Sequence, residues 1–260
     1  MADRFWSCGP ELELGDFTVR RSFPVHFHQE AIVAVIVEGE ILTVDGRSYY
    51  AEAGSVIVFE PERAHCNSPT SRGVGRYRGL YASPELFRRA GVALPQRLQS
   101  HVLKDSGVAR RLTELYKNLE IQSPSQATVE VAHEIADVFA RMPSDESRHP
   151  DTAALSEVER ILRAKWCEHV AWPAIAAEVE VPTSSLARAF RGHYGLPPHA
   201  FQIQIRIAEA KKLIRRGNGI ASVAVMCGFV DQSHFTREFR KYVGQTPGVF
   251  AAGQKSTIQT

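Results

Sequence analysis

Nothing in this chain of 260 residues approaches the run of about 18 apolar residues that a membrane-spanning helix needs. The opening Met1-Ala-Asp-Arg also lacks the apolar core of a secretory signal. The expectation is a cytoplasmic protein with no membrane partner. Cysteine is scarce and scattered. Cys8, Cys66, Cys167 and Cys227 show no CxxC spacing, which favours reduced thiols over a disulfide framework or a structural zinc. A P-loop, a dinucleotide-binding glycine fingerprint and a nucleophile–base constellation are likewise missing. No catalytic residue, metal or cofactor is therefore assigned, and the protein is expected not to be an enzyme. The length leaves room for two domains.

Net charge is small too. The formal net charge is only +2, but it is unevenly spread. Residues 1–150 hold 17 Lys and Arg against 20 Asp and Glu, whereas residues 151–260 hold 14 against 9. The basic half is the one expected to meet a polyanion.

That half is organised around the stretch from Cys227 to Phe250, which has the form of a turn and a second helix. Gly228 can adopt the positive φ of a sharp turn, and Asp231 is a good N-cap. On a helical wheel Phe235, Phe239, Tyr242 and Val243 share one face. Ser233, Arg237 and Arg240 share the other, flanked by Thr236 and Lys241. The pattern then repeats. A shift of 49 positions lays Val181 to Gly195 over Val230 to Gly244, matching Ser184 with Ser233, Arg188 with Arg237, Phe190 with Phe239 and Arg191 with Arg240. A merely solvated face has no reason to repeat its Ser and two Arg positions. Ala176 and Ala224 are only 48 apart, so the second turn carries one extra residue. Between the units, Pro198 to Arg216 is expected as one helix, stopped by Gly217-Asn218-Gly219. A rod of about 18 residues spans roughly 27 Å, near the 34 Å that separates successive major-groove faces.

The segments Ile205 to Ile214, Ile220 to Arg240 and Gly244-Gln-Thr-Pro resemble the signature of the AraC/XylS family of bacterial transcription regulators. The similarity covers about the last hundred residues. Two positions depart from the family pattern: Glu180 stands where Gly is usual, and Pro182 where a Ser cap is usual. The resemblance implies double-stranded DNA as a partner, with Gln232, Thr236 and Arg237 at matching positions of the second recognition helix. RNA polymerase is a further partner if the protein is an activator.

From Phe17 to Ser83 the chain is rich in short β-branched and aromatic runs. Strands are expected at Phe17–Phe23, Ala31–Val37, Ile41–Val44, Ser48–Tyr50, Val56–Phe59 and Arg76–Tyr81, with turns at Gly39, Asp45-Gly46 and Gly54. Such spacing suits a small barrel or sandwich. His26-Phe-His28 with Gly39, then Gly54 with Pro61 to His65, are similar to the two cupin motifs. The resemblance implies a ligand-sensing barrel and places His26, His28 and His65 at its ligand-binding positions. Enzymatic cupins add a Glu four or five residues on, and Glu30 is only two from His28. Amphipathic spacing predicts helices over Ser106–Ile121 and Ser125–Met142. These could cover the barrel, pair with each other or form a homodimer.

The expectation is thus an α+β protein. A cupin-like β-barrel followed by helices occupies residues 1–142, a polar linker 143–153, and an all-α domain 154–252 with two helix-turn-helix units joined by a long linker helix. It is read as a sequence-specific transcription regulator controlled by a small-molecule effector. The alternative is a metal-dependent cupin enzyme fused to a DNA-binding module. Ser184, Arg188, Gln232, Ser233, Thr236 and Arg237 are expected at base edges or adjacent phosphates. Arg191, Arg240 and Lys241 complete the DNA face, the last two as phosphate contacts.

Overall fold

Alternation along one strand decides how the N-terminal half packs. In a computed structural model that describes residues 4–9, 11–44, 47–94, 98–121, 128–144 and 152–255, β3 (Ala31–Glu38) is buried on both faces. Ala31, Val33 and Val35 join one apolar cluster, while Ile32, Ala34 and Ile36 join another. A strand with two covered faces reads as an unbroken apolar run. The described strands form two antiparallel sheets. The larger has the order β1-β2-β8-β3-β6-β9, with β1 at Arg4–Ser7, β2 at Leu12–Val19, β6 at Val56–Phe59, β8 at Gly75–Ala82 and β9 at Val102–Leu103. The smaller is β5-β4-β7, from Ser48–Glu52, Glu40–Val44 and Cys66–Pro69. Ile41 and Ala51 of the small sheet meet Ile57, Phe59, Tyr77 and Tyr81 of the large one in the inner cluster.

The outer face of the large sheet is covered by helices. A short α1 (Pro84–Ala90) precedes α2 (Ser106–Ile121) and α3 (Thr128–Ala140). Val108, Leu112 and Leu119 of α2 and Val131, Ile135 and Phe139 of α3 share a cluster with Val33, Val58 and Leu80. Tyr116 of α2 donates its hydroxyl to Gly15 O at 3.1 Å. Most of the two apolar stripes is therefore covered inside this unit, with Val129 left exposed.

One expected strand shifts and three others are added. The strand expected at Phe17–Phe23 lies earlier, because the ladder with β8 runs from Leu12↔Ala82 to Val19↔Gly75 and ends there. β1, β7 and β9 were not legible; β7 contains Asn67, Ser68 and Pro69 and is a strand by virtue of its pairing with β4. The start at Ser125, the Asp45-Gly46 turn and most of the 143–153 linker lie outside the described residues.

Residues 1–23 and 27–146 form one compact unit, and residues 24–26 group with residues 147–260 in the other. The second contains α4 (Thr152–Ala164), α5 (Trp172–Glu178), α6 (Thr183–Tyr194), α7 (Pro198–Arg215), α8 (Ile220–Met226), α9 (Gln232–Val243) and α10 (Pro247–Lys255). α10 continues past Ala252, the expected end of the all-α domain. The four cysteines are free thiols.

Asp16 on β2 is the polar tie of the large sheet. Arg76 on the adjacent β8 donates Nε to Oδ1 at 2.7 Å and Nη2 to Oδ2 at 2.6 Å, and Arg78 donates Nε to Oδ2 at 3.1 Å. Burial alone would raise the carboxyl, but the two guanidinium groups hold it below its ordinary range. A depressed folded-state value means stability that is present above about pH 4 and lost as pH falls through the lower folded value. Asp16→Asn should lose roughly 1–3 kcal/mol near neutrality, the cost of leaving charged donors poorly met. Its stability curve should also be flatter below about pH 4. Thermal unfolding of both chains between neutral and acid pH checks this; an equally steep acid limb in the variant would contradict it.

Candidate DNA-binding surface and histidine cluster

The turn of each helical unit needs one residue in the left-handed region. In the second head that residue is Gly228, at φ 70°, between α8 and α9. In the first it is Glu180, at φ 55°, between α5 and α6. The departure at Glu180 leaves the shape of the turn intact and places its cost in backbone strain, about 1–2 kcal/mol for a residue with a Cβ. The inter-helix segments are 179–182 and 227–231, so the second turn is longer by one residue. The caps differ as well. Asp231 Oδ1 accepts from the His234 amide at 2.7 Å, whereas Pro182 caps α6 without a side-chain bond.

Below the turns the two heads are fastened alike. Leu186 and Phe190 of α6, and Phe235 and Phe239 of α9, are buried. Phe190 meets Phe201 of α7 at 5.4 Å between centroids, and Phe239 meets Phe250 of α10 at 5.5 Å. Both recognition helices end on a left-handed glycine, Gly195 and Gly244. With one face of each helix so committed, the other is set by the 3.6-residue period. Ser184, Arg188 and Arg191 on α6 are exposed, as are Gln232, Ser233, Arg237, Arg240 and Lys241 on α9; Thr236 is half-buried.

One participant escaped the sequence reading. Glu238, whose side chain is largely covered, lies 3.6 Å from Arg237 Nε and 3.7 Å from Lys241 Nζ. In sequence a carboxylate between an Arg at i−1 and a Lys at i+3 is indistinguishable from an ordinary surface charge. It limits how far the two side chains wander in the absence of DNA.

His26, His28 and His65 come together with one ligand atom of each within 4.8 Å of the others. Glu30 does not belong to the group. His26 Nδ1 lies 2.8 Å from Pro24 O, and His65 Nδ1 lies 2.8 Å from Arg63 O. A carbonyl only accepts, so Nδ1 carries the proton in both rings and the lone pair sits on Nε2. Burial pulls the pKa of His26 down despite the Pro24 bond, which keeps it neutral near pH 7. His28 and His65 stack at 5.5 Å, and Phe59 lies flat against His65 at 3.7 Å. The opposite side of Phe59 is met by the buried His101, which donates from Nδ1 to Val58 O at 2.9 Å. Phe59 and His101 are thus supports that the motif reading did not find.

The turn geometry predicts opposite responses to substitution. Glu180→Gly should be neutral to stabilising, since relief of the left-handed strain offsets the added chain entropy of about 0.5–1 kcal/mol. Asp231→Ala should cost about 1 kcal/mol through loss of the cap. Denaturant unfolding of both variants checks the contrast; marked destabilisation by Glu180→Gly would show that its side chain, not its backbone, matters.

Comparison with known proteins agrees with this arrangement. Residues 18–158 match an AraC-like ligand binding domain, and residues 175–253 match a helix-turn-helix domain that spans both heads. Among curated relatives, the chain is 26% identical over 253 residues to the HTH-type transcriptional activator RhaS of Escherichia fergusonii, covering 92% of this chain and 91% of that protein. RhaS of Salmonella agona is 24% identical over the same length. Among solved structures, ToxT from Vibrio cholerae aligns with a TM-score of 0.62 at 13% identity, covering 94% of this chain and 98% of that one. A fatty-acid-bound ToxT aligns at 0.60. With the ligand-binding model spanning more than half of its length and the helix-turn-helix model both of its heads, this chain belongs to the AraC family of transcription regulators.

Proposed function

We propose that the protein binds a specific double-stranded DNA site with both heads and regulates transcription from it in response to a small molecule held by the sheet domain. One observation carries the reading: the same Ser and two Arg positions, Ser184, Arg188 and Arg191 and then Ser233, Arg237 and Arg240, are exposed on helices whose opposite faces are buried. Arg188 and Arg237 take the base-reading role, since a guanidinium engages guanine O6 and N7 together. Ser184, Gln232, Ser233 and Thr236 are hydrogen-bonding partners for base edges or the backbone. Arg191, Arg240 and Lys241 serve phosphate. The RhaS relatives are named as activators, which supports RNA polymerase as a further partner. No catalysis is assigned. Among the described residues no helix is long and apolar enough to cross a membrane, and the cytoplasm is the compartment that holds the DNA. A homodimer through α2 and α3 would have to use what these helices leave exposed, such as Val129.

The test is a mobility-shift titration against a fragment selected by the protein from random DNA. Arg237→Ala should lose about 1–3 kcal/mol on that fragment and relax preference at one or two base pairs. Lys241→Ala should weaken specific and random DNA alike and reduce the salt slope by about one. Equal losses on every sequence for Arg237→Ala would make it a phosphate contact and overturn the assignment.

A second reading of the effector rests on the histidine cluster. Tetrahedral zinc with bonds of about 2.0–2.1 Å needs nitrogens about 3.3 Å apart. The observed spread of up to 4.8 Å is a modest side-chain closure away. The Nδ1–H bonds to Pro24 and Arg63 carbonyls orient Nε2 as second partners do for metal-bound imidazole. Under this reading His26, His28 and His65 hold a divalent metal as the effector or part of it. Thermal shift of the full chain with organic metabolites and with zinc separates the two. Stabilisation by zinc that disappears in His65→Ala supports the metal, and a shift by organic compounds alone leaves it without support.

A further inference from the structure

We infer that Arg206 is the positioning residue of the second recognition helix: it clasps the turn of the second head to the elbow that follows α4. This rests on the reading that both heads grip one duplex. Arg206 lies midway along α7 and is buried. Its Nε donates to Trp166 O at 2.9 Å, Nη2 to Glu168 O at 2.8 Å and Nη1 to Gly228 O at 2.8 Å. One helical turn earlier on the same face, Gln202 Nε2 donates to Lys165 O at 2.9 Å and Glu168 O at 3.0 Å. The carbonyls of Trp166 and Glu168, past the end of α4, are thus taken up by α7, which also adds a second donor to Lys165 O beside the Glu168 amide.

The same guanidinium reaches the second head, which connects two segments about 60 residues apart in sequence. Elbow and turn are in contact: a Cβ on Gly228 would stand 1.8 Å from Cys167 O. Gly228 is thus required twice, for its positive φ and for its bareness. From there the contact chain is continuous. Arg206 Cζ lies 5.9 Å over the Phe229 ring, and Phe229 packs at 5.1 Å on Phe235, the inner face of α9. Whatever holds Gly228 and Phe229 holds the direction in which α9 presents Gln232, Arg237 and Arg240.

The chemistry explains why this is an arginine. Its hydrogen-bonded partners are carbonyl oxygens rather than a carboxylate, and burial draws its pKa down. A buried cation is costly, and an apolar side chain of similar length would fill the space at less desolvation cost. It would leave the Trp166 and Gly228 carbonyls unmet, with Glu168 O held by Gln202 alone, and the second head free to turn about α7. A lysine ammonium is a point donor and cannot span both segments as the planar fork does.

The full-length chain is tested by footprinting on the fragment that the wild type selects from a random pool. Wild type should protect two segments about one helical turn apart. A single protected segment would sink the two-headed reading, and this inference with it. The segment weakened by Arg237→Ala is the second head's. Arg206→Met should keep the first head's protection and lose the second's, with affinity down about tenfold or more. It should also tolerate one or two base pairs inserted between the segments, which wild type rejects. Arg206→Lys should behave like Arg206→Met. Gly228→Ala, which pries the same joint from the other side, should give the same one-sided pattern. If Arg206→Met does not fold, the lysine and alanine variants carry the test, each measured well below its own melting temperature. Equal weakening of both segments, unchanged protection, or rescue by lysine would overturn the clasp.

Discussion

The helical half depends on a packing constraint used twice, the edge-on burial of a recognition-helix phenylalanine against a phenylalanine of the helix that follows. Phe190 on Phe201 and Phe239 on Phe250 anchor α6 and α9 by the same positions of the repeat. An aromatic pair in contact contributes about 0.5–1.5 kcal/mol beyond the area it removes from water. Its larger consequence is directional. Once one face of a two-turn or three-turn helix is committed to such a contact, the opposite face is presented outward by periodicity alone. The polar Ser and Arg positions then recur on the surface because the apolar ones recur beneath it.

A similar economy governs the sheet domain. β3 sends Val33 and Val35 toward α2 and α3, and sends Ile32, Ala34 and Ile36 into the cluster between the two sheets. A one-residue slip in its register would exchange the two sets. The ladders to β6 and β8 therefore carry more than backbone hydrogen bonds. They hold Phe59 of β6 where it stacks on His65, and so hold one wall of the histidine cluster. Support for the candidate ligand site thus comes from the sheet's inner face.

Buried charge is used sparingly, and differently in the two units. Asp16 is answered by two guanidinium groups on the neighbouring strand, a pairing that neutralises it. Arg206 is answered by carbonyl dipoles from separate segments, an arrangement that trades charge neutralisation for reach. The first secures a local register; the second joins parts of the domain that sequence separation would leave independent.

Much of the DNA face was legible in sequence because its signals are local. Helical period, an Asp cap, a turn glycine and a repeat shifted by 49 positions depend on neighbours within a few residues or on comparison of the chain with itself. For the same reason the extra residue of the second turn could be counted before any coordinates. What only the tertiary structure decided involves partners far apart in the chain. Strand β7 exists because β4 pairs with it, although Asn67, Ser68 and Pro69 argue against a strand. Strand β2 runs from Leu12 to Val19, short of Phe23, because its partner β8 spans only Gly75 to Ala82. Arg206 looks in sequence like one more basic residue of an amphipathic helix. Its role becomes visible only when Trp166, Glu168 and Gly228 are brought around it. Glu180 could be identified as a departure, but not as one tolerated at φ 55°, because a single turn's strain is offset by packing elsewhere in the domain. Local chemistry determines which faces and turns are possible, and long-range contacts select among them, because their free energy exists only once the chain has closed the loops between the partners.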